Sequence, residues 1–224
     1  MDSFAPNADD WQYRRRRARL VEALRVKGID DERVLAAIER VPRHLFVDPG
    51  LASRAYSDEA LPIGFGQTIS QPFTVAYQTM LLDVRPGDRI LEVGTGSGYQ
   101  AAVLCELGAE VYSIERIRPL LERTRALLKS LGYRVTTRLG DGSLGWPAFA
   151  PYDGIIVTAG AREIPEALLQ QLRTPDETHR GGRLVIPIGD ERGQTMNLII
   201  RRGEDDFERR EMDGFRFVPL IREE

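Results

Sequence analysis

The residues best suited to chemistry stand at the ends of three successive apolar runs. The first run, Arg89-Ile-Leu-Glu-Val93, leads into Gly94-Thr95-Gly96-Ser97-Gly98-Tyr99. Glycines there let the backbone turn tightly and let a ligand approach the main chain. A helix starting just after them would offer free N–H groups. Alone, such a turn can serve packing only. Glu115 closes the second run, Glu110-Val-Tyr-Ser-Ile114, at 21 residues beyond Gly94. An acid at that place can bind both hydroxyls of a ribose. Asp141-Gly142 follows the third run, Arg134 to Leu139, where an adenine edge would lie. Either acid by itself reads as a solvated loop residue. Three such features at three successive strand ends predict a nucleoside-bearing ligand, because open α/β sheets bind ligands at that edge.

Two nucleosides compete for the turn. Gly96-Ser-Gly98-Tyr-Gln-Ala101 fits a G-x-G-x-x-A dinucleotide fingerprint. Glu92, two residues before the first glycine, gives instead an E-x-G-x-G-x-G order that resembles the S-adenosylmethionine (SAM) turn of Rossmann-like methyltransferases. SAM carries no pyrophosphate, and its ammonium and sulfonium cations favour a nearby acid such as Glu92. Nothing downstream reads as a second, nicotinamide-binding βαβ half.

Positioning these residues requires an α/β chain. Strand and helix patterns alternate across residues 88 to 188, which predicts βαβ units and a mostly parallel sheet with helices on both faces. Strands at Met196 to Arg201 and Phe215 to Leu220, with no helix between them, predict an antiparallel edge. The 224 residues divide into N-terminal helices and an active-site loop over residues 1–82 and a Rossmann-like SAM-binding methyltransferase core over residues 83–224. Helices are expected from Trp11 to Lys27, from Asp30 to Val41 and from Thr74 to Leu82, and a polar, mobile arm over residues 1–10. Residues 43 to 75 show no clear period; a loop so long is usually functional or disordered, and its apolar Phe46, Leu61, Ile63, Phe65 and Ile69 argue against disorder.

That loop holds the most specific signal. Pro62-Ile-Gly-Phe-Gly-Gln-Thr-Ile-Ser-Gln-Pro72, Leu91-Glu-Val-Gly-Thr-Gly-Ser-Gly-Tyr-Gln-Ala-Ala102, Ser113-Ile-Glu-Arg116, Gly140-Asp-Gly142, Leu184-Val-Ile-Pro-Ile-Gly189 and Phe217-Val-Pro-Leu220, with Val41-Pro-Arg-His-Leu-Phe46 upstream, resemble the protein-L-isoaspartate O-methyltransferases. The resemblance runs in matching order over about residues 41 to 220. It implies methyl transfer from SAM to the free α-carboxylate of L-isoaspartyl residues in damaged proteins and peptides. It places the Ser70 hydroxyl beside the acceptor carboxylate as the catalytic group, with Thr68, Ile69, Val218 and Leu220 on the substrate. It puts Glu92, Gly94, Thr95, Gly96, Ser97, Gly98, Glu115, Asp141 and Gly142 around SAM. Thr174 to Arg180 departs from the family pattern as a short insertion.

Composition bounds the alternatives. One cysteine and two histidines leave little material for a metal centre, and no disulfide framework is possible. With 31 basic against 34 acidic residues, the balance disfavours a nucleic-acid grip. Thr158-Ala-Gly-Ala also lacks the Asn/Asp-Pro-Pro-aromatic pattern of amino-methylating nucleic-acid enzymes. A SAM-binding module without catalysis is the remaining alternative, disfavoured by the intact Ser70 segment. No signal peptide or membrane-length apolar run is seen, so a cytoplasmic monomer with no membrane partner is expected. The run Arg14 to Arg17 reads as a solvated helix face, dispensable for the chemical step. His44 reads as a packed or capping residue, and Cys105 as a small core residue.

Overall fold

The computed structural model describes residues 9–190 and 192–220. The mobile arm expected over residues 1–10 falls outside them, except for Asp9 and Asp10. Helix α1 (Trp11–Val26) starts where the Asp10 carboxylate accepts from the N–H groups of Gln12 and Tyr13. Helix α2 (Glu32–Arg40) is capped in the same way by Asp31, and it buries Val34, Leu35, Ala37 and Ile38. These caps satisfy N–H groups that a helix start leaves unpaired.

The stretch 43–75 is more ordered than its sequence suggests. Two 3-10 turns, Arg43–Phe46 and Pro49–Arg54, lead to an antiparallel hairpin of β1 (Leu61–Gly64) and β2 (Gln67–Ile69). Phe65 and Gly66 at its tip both take positive φ, 56° and 68°. That is the backbone hand favoured by two-residue hairpin turns. Strands of three and four residues are too short to show a period, which is why the hairpin is invisible in the sequence. Helix α3 (Pro72–Leu82) follows, with proline at its first position.

The core comprises β3 (Arg89–Val93), α4 (Tyr99–Glu106), β4 (Glu110–Glu115), α5 (Arg118–Ser130), β5 (Val135–Leu139), β6 (Gly154–Val157), α6 (Glu166–Gln170), β7 (Arg183–Asp190), β8 (Gly193–Arg201) and β9 (Phe207–Phe215). The sheet order is β5-β4-β3-β6-β7-β8-β9. Its first five strands are parallel, and β8 and β9 add an antiparallel edge. The chain winds outward from β3 through β4 and β5, then returns to place β6 beside β3. That reversal opens a crevice at the carboxyl ends of β3 and β6.

Alternate side chains face opposite sides of the sheet. Ile90 joins a cluster that runs from Leu20 and Leu24 of α1, through Leu35 and Ile38 of α2, to Met196 of β8. Leu91 and Val93 join the opposite cluster with Ile155, Val157, Leu184 and Ile186. The N-terminal helices therefore share the apolar layer of one sheet face. Among the described residues no helix is long and apolar enough to cross a membrane.

Two expectations need correction. The last strand is Phe207–Phe215, not Phe215 to Leu220. Its Phe-Glu-Arg-Arg-Glu-Met sequence is charged because it lies at the sheet edge, where charge discourages pairing with other chains. Residues 216–220 carry only a bridge from Pro219 to Gly160. The arginine run is also not uniformly solvated: Arg14, Arg15 and Arg16 are exposed, but Arg17 is buried. Its guanidinium donates to both Asp9 carboxylate oxygens and to the Tyr56 hydroxyl. The Tyr56 hydroxyl in turn lies 2.7 Å from His44 Nδ1.

Candidate active site

The crevice at the carboxyl ends of β3 and β6 holds a cavity that meets most of the residues singled out in the sequence. Its wall includes Thr68, Ile69 and Ser70 from the hairpin exit, Glu92 to Ser97 from the glycine turn, Glu115, Gly142, and Val218 to Leu220. Chain segments far apart in sequence thus converge on one space. Gly98 and Asp141 are not on its wall. Gly98 opens α4 with its Cα against Thr124 and Leu128, so it serves helix–helix packing. The Asp141 carboxylate accepts from Ser143 N–H at 2.8 Å and shapes the turn after β5.

The glycine turn is locked from both sides. Gly94 and Thr95 donate their N–H groups to Ile114 O at 2.9 and 3.2 Å. Thr158, at the end of β6, donates its hydroxyl to Gly94 O at 2.7 Å. Gly94 has φ +99°, and a Cβ there would collide with Thr158 Oγ1. No other residue type fits that position. Thr158 was not singled out in the sequence, although its place at a strand end follows the same sheet-edge logic as Glu115.

Glu115 is 6% exposed and already heavily engaged. One carboxylate oxygen accepts from Arg116 N–H at 2.9 Å and from Ile117 N–H at 3.0 Å. The other accepts from Gly96 N–H at 2.9 Å. A carboxylate offers about four acceptor positions, so one direction remains open for a ligand hydroxyl.

Glu92 is fully buried. One of its oxygens accepts from Ser113 Oγ, which lies 2.6 Å from Thr95 Oγ1. Among the described residues its Oε1 has no hydrogen-bond partner, and neither do Tyr99 Oη and Gln100 Oε1, all on residues of the cavity wall. Unpartnered buried polar atoms call for an explanation. Two of these three, Glu92 Oε1 and Gln100 Oε1, are acceptors that suit a cationic ligand. Burial, reinforced by the Glu115 charge, pushes the Glu92 carboxyl up to about 8. The site therefore fits SAM, which brings an ammonium and a sulfonium where a dinucleotide would bring an anionic pyrophosphate.

A family described as "Protein-L-isoaspartate(D-aspartate) O-methyltransferase (PCMT)" matches residues 15–224. The chain belongs to this family. A protein-L-isoaspartate O-methyltransferase of Salinibacter ruber is 65% identical over 224 residues, covering 98% of this chain and 97% of the relative. One of Christiangramia forsetii is 53% identical over 214 residues, covering 95% and 97%. A solved protein-L-isoaspartate O-methyltransferase superposes with TM-score 0.79 at 31% identity, over 91% of this chain and 65% of its own. A putative member from Plasmodium falciparum, solved in complex with S-adenosyl-L-homocysteine, superposes with TM-score 0.78 at 25% identity, over 92% and 98%.

SAM bound with a cation beside Glu92 would carry a pH dependence of definite sign. Below pH about 8 the free chain holds a proton on Glu92. A cation binding beside it favours the carboxylate, so that proton must leave. SAM affinity is expected to rise with pH below that value, by up to about tenfold per unit, and to flatten above it. Calorimetry at pH 7 in two buffers of different ionisation enthalpy should report proton release. The Glu92→Gln variant should report none, and proton release unchanged in that variant would assign it to another group.

Proposed function

We propose that the chain repairs damaged proteins by moving a methyl group from SAM to the free α-carboxylate of L-isoaspartyl residues, leading to a succinimide and a partial return to L-aspartyl. The observation that carries this reading is the convergence of the Gln67–Pro72 segment, the glycine turn and the Val218–Leu220 segment on one cavity. A donor pocket alone would make a SAM-binding module. The added wall of hydroxyls and backbone gives the methyl an acceptor site.

The chemistry asks little of proton transfer. A chain α-carboxyl has a pKa of about 3.3–3.7, so the nucleophile arrives ionised and no general base is required. SAM supplies an electrophilic methyl on a cationic sulfur. The protein must bind, orient and dry the reactants, and orientation of this kind can contribute roughly 7–11 kcal/mol. Glu92, Gly94, Thr95, Gly96, Ser97, Glu115 and Gly142 would hold the donor. The Ser70 hydroxyl would donate to one carboxylate oxygen, replacing water lost on entry. Among the described residues, none takes or gives a hydrogen bond to that hydroxyl, so it is available for a ligand.

Val218 and Leu220 would grip the substrate backbone. Their own backbone is fixed: Gly160 N–H donates to Val218 O and Leu220 N–H donates to Gly160 O, each at 2.7 Å. Backbone recognition tolerates varied neighbours of the damaged residue. The deciding experiment uses methyl-labelled SAM and two peptides that differ only in isoaspartyl or aspartyl linkage. Label is expected in the isoaspartyl peptide alone. Label in both, or in neither, would remove the assigned substrate.

A further inference from the structure

Among the described residues, Arg43 is one of the largest fully buried side chains. A buried guanidinium normally sits against a carboxylate. Among the described residues, no carboxylate lies within ion-pair distance of this one. Its donors go to backbone instead. Nε donates to Ala55 O at 2.9 Å, and Nη2 donates to Ser70 O at 2.9 Å and to Glu59 O at 3.4 Å. The guanidinium carbon stands 4.8 Å from the centroid of the Tyr99 ring, and Tyr99 is one of the residues lining the cavity. Nη1 has no partner. Burial brings the group down to about 10, so it remains a cation at neutral pH.

These contacts join the end of the second 3-10 turn, the segment before β1, and the residue after β2. Asp58, one residue before Glu59, holds the other side of the same corner: it accepts from Phe73 N–H at 2.8 Å and from Gln71 Nε2 at 3.1 Å. Ser70 is thus fixed through its neighbours, while its hydroxyl turns on a single free torsion. Pinning the carbonyl sets the direction of the Cα–Cβ bond, and with it the small arc that Oγ can sweep.

We propose that Arg43 is a positioning residue for Ser70: its planar fork clamps the Ser70 carbonyl to the Ala55 and Glu59 carbonyls, and its unpaired charge biases the corner toward an anionic acceptor. This rests on the reading that Ser70 meets the substrate carboxylate. A lysine would keep the charge but lose the fork, because one ammonium is a point donor on a flexible stem. A merely structural arginine would affect donor and acceptor functions alike.

The test compares Arg43→Lys, Ser70→Ala and the double variant in single-turnover methyl transfer, beside calorimetric SAM binding. Arg43→Lys is expected to slow transfer to an isoaspartyl peptide about 10- to 100-fold while the SAM dissociation constant moves less than about threefold. The double variant should be no slower than about threefold beyond the slower single one, since both changes act on one hydroxyl. A wild-type rate in Arg43→Lys, additive losses, or an equal loss of SAM affinity would each overturn the proposal. If Ser70→Ala alone reacted at the wild-type rate, the Ser70 reading would fall first, whatever Arg43 did. Should Arg43→Lys fail to fold, guanidinium ¹⁵N NMR of the wild-type chain decides. Restricted, separate Nη signals that shift when the isoaspartyl peptide binds to the S-adenosylhomocysteine complex support the clamp. Freely rotating or unresponsive signals overturn it.

Discussion

Glu115→Ala is expected to raise the dissociation constant for SAM by about 10²- to 10³-fold. One charge-assisted hydrogen bond to a ribose hydroxyl is worth about 1.5–3 kcal/mol, or roughly 10- to 150-fold. The remainder comes from the turn. Without the carboxylate, the N–H groups of Gly96, Arg116 and Ile117 lose their acceptor together. Gly96 sits in the cavity wall, so its disorder removes part of the surface that SAM would touch. Glu115→Gln separates the two contributions. An amide keeps one acceptor oxygen but presents its NH₂ to a backbone N–H, so at least one donor faces another donor. It should fall between wild type and alanine in SAM affinity. Calorimetric titration of the three proteins checks the order, and unchanged affinity in Glu115→Ala would remove this residue from the donor site.

The wall proposed for the nucleoside is legible in the sequence because its determinants are local. Gly94 needs a backbone angle that the sequence writes as glycine, and Glu115 ends a strand of apolar residues that has to be buried. Parallel strands buried on both faces read as continuous apolar runs, so β3, β4 and β6 declare themselves. The acceptor half was legible only through resemblance. Ser70 stands after a three-residue strand, and nothing in its neighbourhood has a period. Its clamp, Arg43, lies 27 residues upstream and reaches it only through tertiary packing. Thr158 reaches Gly94 across the sheet edge and Gln100 donates from α4 to Thr79 of α3, so neither placement is written along the chain. Arg17 shows the same limit from the other side. A run of arginines looks solvated until the fold puts Asp9 and Tyr56 against one of them.

Ser70→Ala is expected to slow methyl transfer about 10- to 150-fold while SAM binding changes little. The hydroxyl removes no proton, since the carboxylate is already an anion. What it supplies is a hydrogen bond to a charged group, worth about 1.5–3 kcal/mol, and that range converts directly to the stated factor. Its geometry is set before substrate arrives. Ile69 is buried in the hairpin, the Ser70 carbonyl is held at 2.9 Å, and α3 starts two residues later at Pro72. Little reorganisation is left for the moment of reaction, so the loss should appear in the chemical step. Ser70→Thr should not restore full activity, because its added methyl must fit a wall shared with Thr158 and Val218. Single-turnover transfer at saturating SAM and peptide, beside calorimetric SAM binding, separates the outcomes. A wild-type rate in Ser70→Ala would reduce the segment to a structural corner. A collapse of SAM affinity would move Ser70 to the donor side, and the carboxylate would then need Thr68, an exposed hydroxyl on the same wall.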